Sequence, residues 1–208
     1  GLQIQQPQRQ GFLWLWRKLQ HLSLDAQVVD GQKSYFELFG LPEQFALNPE
    51  DLSERYLHLR QMVHPDLYAT AGGREKRLSL QASTLVNEAY QTLKDPLARA
   101  RYLLKLLTGN PGDDHETTKD MGFLMEQMEL REALAEARGT SDPFTGVAAV
   151  KNQLADQSGH LIAQIAASLE NVSDPDHEIT RELIRKLQFV RKCQAEAETL
   201  EAELDEAL

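Results

Sequence analysis

With 208 residues, 41% of them hydrophobic and 26% charged, the chain has an ordinary globular composition and is long enough for one large domain or two small ones. A formal net charge of −10 argues against general nucleic-acid binding, which needs a basic surface to displace counterions. The single cysteine, Cys193, excludes an internal disulfide and fits a reducing compartment, and no apolar run approaches the roughly 20 residues that cross a bilayer.

Residues 1–30 stand apart. A Gln-rich opening leads into Phe12-Leu13-Trp14-Leu15-Trp16-Arg17-Lys18-Leu19, where Phe12, Leu15, Trp16, Leu19 and Leu22 share one helical face. This is either a membrane-surface or targeting segment or an extension outside the folded domain, disordered or foreign to it. Untied termini are common, so the second is the expectation. From residue 31 onward helical period dominates and no strand alternation competes.

Asn48-Pro49-Glu50-Asp51 marks a helix start, with Asn as cap, Pro in the first turn and acids at the positive dipole end. Leu52, Tyr56, Leu59 and Val63 line one face, and the helix must stop near Val63 because His64 precedes a proline. After a loop ending in Ala71-Gly72-Gly73, a second helix is predicted over 74–94, with Leu78, Ala82, Leu85, Ala89 and Leu93 as its buried face. Asp95-Pro96 starts a further helix through Leu107. Residues 31–110 carry 10 Lys+Arg against 9 Asp+Glu, whereas 116–208 carry 9 against 19. This charge shift, with Gly109-Asn110-Pro111-Gly112-Asp113-Asp114 between, predicts two domains, 31–110 and 116–208.

His64-Pro65-Asp66 thus sits in the loop of a helical hairpin. A lone His or Asp in a loop is usually a solvated turn residue. Here the proline stiffens the loop, and the carboxylate is held out where a partner arginine could take it bidentately. Together with Tyr35-Phe36-Glu37-Leu38-Phe39-Gly40-Leu41-Pro42, Asn87-Glu88-Ala89-Tyr90-Gln91-Thr92-Leu93 and Arg99-Ala100-Arg101-Tyr102-Leu103-Leu104, the tripeptide resembles a J domain. The Tyr35-Phe36 opening and the Arg101–Leu104 ending resemble more specifically the HscB-type co-chaperones of iron–sulfur cluster assembly, over about 35–208. The resemblance implies that His64, Pro65 and Asp66 contact a DnaK-type (HscA-type) chaperone and stimulate its ATPase, with Arg55 and Arg60 on the preceding helix as supporting cations. That helix offers only Arg55, His58 and Arg60, fewer cations than many J domains carry, which suits a dedicated partner.

Three more helices are predicted at about 117–138, 144–171 and 175–206, the last with Asp174-Pro175 as its cap, forming an antiparallel three-helix bundle. At 3.6 residues per turn, Phe123, Leu130, Leu134 and Ala137 make the core face of the first. Leu124, Met125 and Met128 fall roughly opposite, beside Glu129 and Glu132. A second apolar stripe either packs on another part of the chain or binds a partner. The segment Phe123–Glu132 resembles the one by which HscB-type proteins bind the iron–sulfur scaffold protein (IscU-type). The resemblance implies Leu124, Met125, Met128, Glu129 and Glu132 as contacts, and Ile184–Phe189, matching a second family segment, adds Phe189.

No enzyme site emerges. None of His21, His58, His64, His115, His160 and His177 has a metal-ligand spacing, and Cys193 alone cannot hold a cluster. Phosphate loops and nucleophile elbows are missing from the sequence. The expectation is an all-α, L-shaped, monomeric co-chaperone without cofactor or metal, engaging a chaperone ATPase with one domain and a cluster scaffold protein with the other. A cytoplasmic setting is expected, with a mitochondrial matrix the alternative. The competing functional reading is a general J-type co-chaperone whose bundle binds unfolded clients.

Overall fold

Local capping chemistry decides where most of the helices begin in the structure, a computed structural model that describes residues 34–68, 73–109, 118–170 and 177–206. Ser34 opens α1 (Tyr35–Phe39) with a reciprocal box: its hydroxyl accepts from the Glu37 amide while the Glu37 carboxylate accepts from the Ser34 amide. Gly40 ends α1 in the left-handed region, φ 66°, where its amide reaches the Glu37 and Phe36 carbonyls and a β-carbon would be strained. Asn48 caps α2 (Pro49–Val63) by accepting from the Glu50 and Asp51 amides. A 3₁₀ turn, Pro65–Tyr68, leads on to α3 (Gly73–Lys94), and Asp95 caps α4 (Pro96–Thr108). Asp120 caps α5 (Met121–Ala137) and Asp142 caps α6 (Pro143–Leu169), each accepting from the amide three residues on; α7 is Glu178–Glu206. All elements among the described residues are helical, the all-α architecture expected. The start expected near 117 moves to Met121 because the Asp120 carboxylate takes the Phe123 amide. The amphipathic stretch Phe12–Leu22, the Asp174-Pro175 cap and residues 110–114 lie outside the described residues.

The chain divides into two compact units between Gly109 and Asn110. In the first, α2 and α3 form an antiparallel hairpin. Ser53 and Tyr56 meet Tyr90 and Asn87 at one end, and the Val63 carbonyl meets Ser79 at the other. Leu52, Leu59 and Val63 are buried against Ala82, Leu85, Val86, Ala89 and Leu93. Each such aliphatic contributes up to about 1.5–3 kcal/mol of burial energy. Tyr56, expected on that buried stripe, is only half-buried: its ring stacks on Tyr90 at 3.9 Å and its hydroxyl donates to Asn87 at 3.0 Å. On α3 the buried position is Ser79 rather than Leu78. Tyr102 on α4 anchors α1, stacking on Tyr35 at 4.5 Å and accepting the Tyr35 amide at 2.9 Å. Burial pushes the Tyr102 phenol up to about 12.

The second unit is an up-down-up bundle. Gln127 on α5 donates to Gln157 on α6, and Ala137 near the end of α5 faces Gly146 near the start of α6, so the two are antiparallel. Ser168 meets Thr180 where α6 ends and α7 begins, while Lys151 pairs with Glu201 at the opposite end. Consequently α5 and α7 run parallel, joined by Lys186–Asp120, Arg131–Glu196 and Arg138–Glu203. The core is Leu130, Leu134 and Ala137 with Val147, Val150, Leu154, Leu161 and Ile165 and with Ile184, Leu187, Val190, Cys193 and Ala197.

Two glycines of α6 make opposite predictions. A β-carbon at Gly146 would come 2.7 Å from the Ala137 β-carbon, which cannot move without its backbone. Gly146→Ala should therefore destabilise the bundle by about 1–3 kcal/mol. Gly159 is exposed and a β-carbon there would meet nothing within 4 Å, so Gly159→Ala should stabilise by about 0.5–1 kcal/mol. Thermal melts of the two variants should move in opposite directions; a Gly146→Ala protein as stable as the parent would contradict the close helix contact.

Candidate docking sites

The first site is built by the end of α2. Pro65 denies His64 the helical region, and His64 takes φ −60° and ψ 128° as the residue closing α2. The last carbonyl of the helix, Val63, is not left orphaned: Ser79 of α3, itself buried, donates its hydroxyl to it at 2.7 Å. The turn is closed by the Leu67 amide on the His64 carbonyl at 3.1 Å. Within it, the Asp66 amide donates to His64 Nδ1 at 3.3 Å, which puts the ring's own proton on Nε2. His64 Nδ1 and Asp66 Oδ2 are 3.6 Å apart, an ion pair only when the ring is protonated. The side chains are 47% and 89% exposed, so the imidazole is partly fixed and the carboxylate stands in solvent. A turn held by these bonds and presenting an exposed carboxylate suits a partner arginine.

Of the two arginines expected beside the tripeptide, Arg60 is exposed. Arg55 is engaged within its own unit. Its Nε donates to Asp51 at 2.7 Å, and its Nη1 donates to the carbonyls of Phe39 and Gly40 at 2.9 and 3.1 Å. It thereby holds the end of α1 against α2. Neither this nor the role of Ser79 is visible in the sequence, because both depend on which helix lies alongside.

The second site is one face of α5. Gln127, Leu130, Leu134 and Ala137 are buried, and at about 100° per residue Met121, Met125, Met128 and Glu132 lie opposite them within an arc of about 60°. Met121 is 69% exposed, and Met125 and Met128 are each 59% exposed. Leu124 is half-buried at the edge, and Glu129 and Glu132 are exposed. Within its own unit the stripe leaves Met125 and Met128 more than half exposed. Met121 belongs to the same stripe, and its four-residue spacing from Met125 is the signal in the sequence that marks it.

The expected core face of α5 needs one correction. Phe123 is half-buried and leaves the core to Gln127, which is fully buried and donates to Gln157 at 2.9 Å. The reason is α7. Phe123 meets Phe189 edge-on with centroids 6.1 Å apart, Lys186 lies 5.5 Å from the Phe123 centroid and Arg131 lies 4.9 Å from that of Phe189. Arg131 in turn makes a bidentate pair with Glu196 at 2.8 Å. This pairing holds the Glu196 carboxyl below its ordinary range and the Arg131 guanidinium above its own. Phe189 is half-buried within this cluster, so the α5–α7 seam carries an aromatic pair clamped by two cations.

Residues 119–198 match the family described as the HSCB C-terminal oligomerisation domain. The chain is 40% identical over 168 residues to a co-chaperone protein HscB homolog of Shewanella loihica, covering 81% of this chain and 97% of that relative. The chain belongs to the HscB co-chaperone family. A Vibrio cholerae HscB homolog is likewise 40% identical over 171 residues, 82% of this chain and 98% of the relative. Among solved structures, chaperone HscB from Vibrio cholerae superposes with a TM-score of 0.70 at 39% identity, covering 83% of this chain and 99% of that one. Human co-chaperone protein HscB gives 0.69 at 28% identity, covering 83% and 84%. The helical hairpin with its His-Pro-Asp turn is thus a J domain in an HscB-type chain, followed by the HscB C-terminal helical domain. The HscB relatives are named as co-chaperones. No helix among the described residues is long and apolar enough to cross a membrane.

Proposed function

We propose that this HscB-family chain is an adaptor that stimulates the ATPase of a DnaK-type (HscA-type) chaperone and delivers the iron–sulfur scaffold protein to it. The observation that carries the proposal is the unpartnered apolar face of α5, Met125 and Met128 with Leu124, in a chain whose other unit displays His64, Pro65 and Asp66. The tripeptide turn engages the chaperone, with Arg60 as the exposed cation beside it and Arg55 acting by holding α1 on α2. On the bundle, Leu124, Met125 and Met128 form the apolar centre of the contact, Glu129 and Glu132 its rim, and Phe189 the support behind it. An apolar centre ringed by charge is the arrangement in which binding energy concentrates in few residues.

The test is steady-state ATP hydrolysis by a DnaK-type chaperone with this chain, with a purified scaffold protein, and with both. This chain alone should stimulate, and the pair should stimulate severalfold beyond the sum of the two. Stimulation that is equal with and without scaffold, but raised by unfolded polypeptides, would favour the general-client reading. No stimulation under any condition would refute the proposal.

A further inference from the structure

We propose that Met121, Met125 and Met128 form an oxidation site, through which a peroxide reversibly switches the docking face of α5 off. The inference rests on the docking role proposed above for that face. The chain has four methionines, and three of them lie within eight residues on a single helical stripe. All three are more than half exposed, at 69%, 59% and 59%, whereas the fourth, Met62, is half-buried. A solvent-facing helix surface is served as well by Lys, Gln or Glu; three thioethers in line are at once an apolar surface and an exposed oxidisable one.

The chemistry is oxygen-atom transfer. A sulfur lone pair attacks one oxygen of hydrogen peroxide, the O–O bond breaks, an S–O bond forms and water leaves. The sulfur is oxidised by two electrons and the peroxide is reduced by two. The product sulfoxide is polar and chiral, with a strong acceptor oxygen where an apolar partner surface has no donor to offer, so burying it on docking is unfavourable. Two thiols reverse the step under a methionine sulfoxide reductase, giving back the thioether, a disulfide and water. The neighbouring Glu126, Glu129 and Glu132 are exposed and do not repel an uncharged peroxide. Cys193 does not compete for it: the thiol is fully buried, and burial also raises its pKa, keeping it protonated.

The experiment treats the full chain with hydrogen peroxide, quenches with catalase and maps the added oxygen by peptide mass spectrometry. The same samples are titrated calorimetrically against a purified iron–sulfur scaffold protein. Sulfoxide should accumulate first at Met121, Met125 and Met128, later at Met62, and docking should weaken at least about tenfold after treatment. Incubation with the reductase and a dithiol should restore it. The quantity compared is the ratio of Kd after to before peroxide within each protein. In the triple variant Met121→Leu, Met125→Leu, Met128→Leu that ratio should stay within about twofold, whatever the variant's own starting affinity. Full oxidation of the three sites with an unchanged ratio would overturn the switch, as would oxidation of Met62 ahead of them. A fall in melting temperature that accompanies the loss of docking would also overturn it, by placing the methionines in the fold. If the untreated chain does not bind the scaffold at all, it is the docking role that fails, and the switch falls with it.

Discussion

Replacing His64 with Gln should cut ATPase stimulation by about ten- to a hundredfold at limiting concentration while leaving the helices and their melting transition in place. The structure separates the two effects. The side chains of His64 and Asp66 lie at the end of α2 in a solvent-facing turn, whereas the bonds that hold the turn are the Ser79 hydroxyl on the Val63 carbonyl and the Leu67 amide on the His64 carbonyl. Both of those use backbone acceptors that Gln would keep. Fold stability should therefore change by no more than about 0.5 kcal/mol. What Gln removes is the imidazole, whose ring nitrogen accepts the Asp66 backbone amide within the turn. Asp66→Asn makes the complementary change, keeping the shape and removing the charge. A charge-assisted contact of this kind is worth about 1.5–3 kcal/mol, so each variant should lose about ten- to a hundredfold in stimulation at limiting concentration. Single-turnover hydrolysis by the chaperone, with circular dichroism melts alongside, reads both quantities. A folded His64→Gln protein that stimulates as fully as the parent would remove the tripeptide from the mechanism.

Changing Leu124, Met125 and Met128 together to Ala should weaken scaffold binding by well over tenfold. Burying an exposed side chain of this size contributes about 1.5–3 kcal/mol, and three adjacent ones at the centre of a contact exceed the 1.4 kcal/mol that a tenfold change requires. Burial in the free protein refines the expectation. Met125 and Met128 give up little on truncation because 59% of each is already in solvent, so Met125→Ala/Met128→Ala should leave stability within about 0.5 kcal/mol. Leu124 is half-buried, so any stability cost of the triple change belongs to it. Glu129→Ala and Glu132→Ala should act more weakly and lose their effect at high salt, as exposed rim charges do. Isothermal titration of the double and triple variants, with melts run beside them, distinguishes the outcomes. Unchanged affinity would sink the assignment, and a large fall in melting temperature for the double variant would assign the stripe to the fold.

Much of this protein was legible in one dimension because much of it is local. A helix start depends on four or five consecutive residues, so Asn48-Pro49 and Asp95-Pro96 announce α2 and α4, and the capping side-chain oxygens meet the backbone amides as the sequence implies. The extended backbone of His64 is likewise dictated by its neighbour Pro65, which ends the helix and starts the turn. Periodicity placed Leu52, Leu59 and Val63 inside, and Met125 and Met128 outside, since an angle around a helix needs no knowledge of its surroundings.

What periodicity lacks is the identity of the neighbour. Phe123 and Gln127 both point toward the bundle, and only the Phe189 ring on α7, flanked by Arg131 and Lys186, draws Phe123 to the seam and leaves Gln127 enclosed against Gln157. Arg55 reads as a free cation until α1 brings the Phe39 and Gly40 carbonyls within reach. Ser79 reads as an unremarkable helix residue until the end of α2 presents the Val63 carbonyl to it. In each case the deciding partner lies fifteen or more residues away along the chain, and a hydrogen bond or ring contact of a few ångströms exists only once the helices have packed.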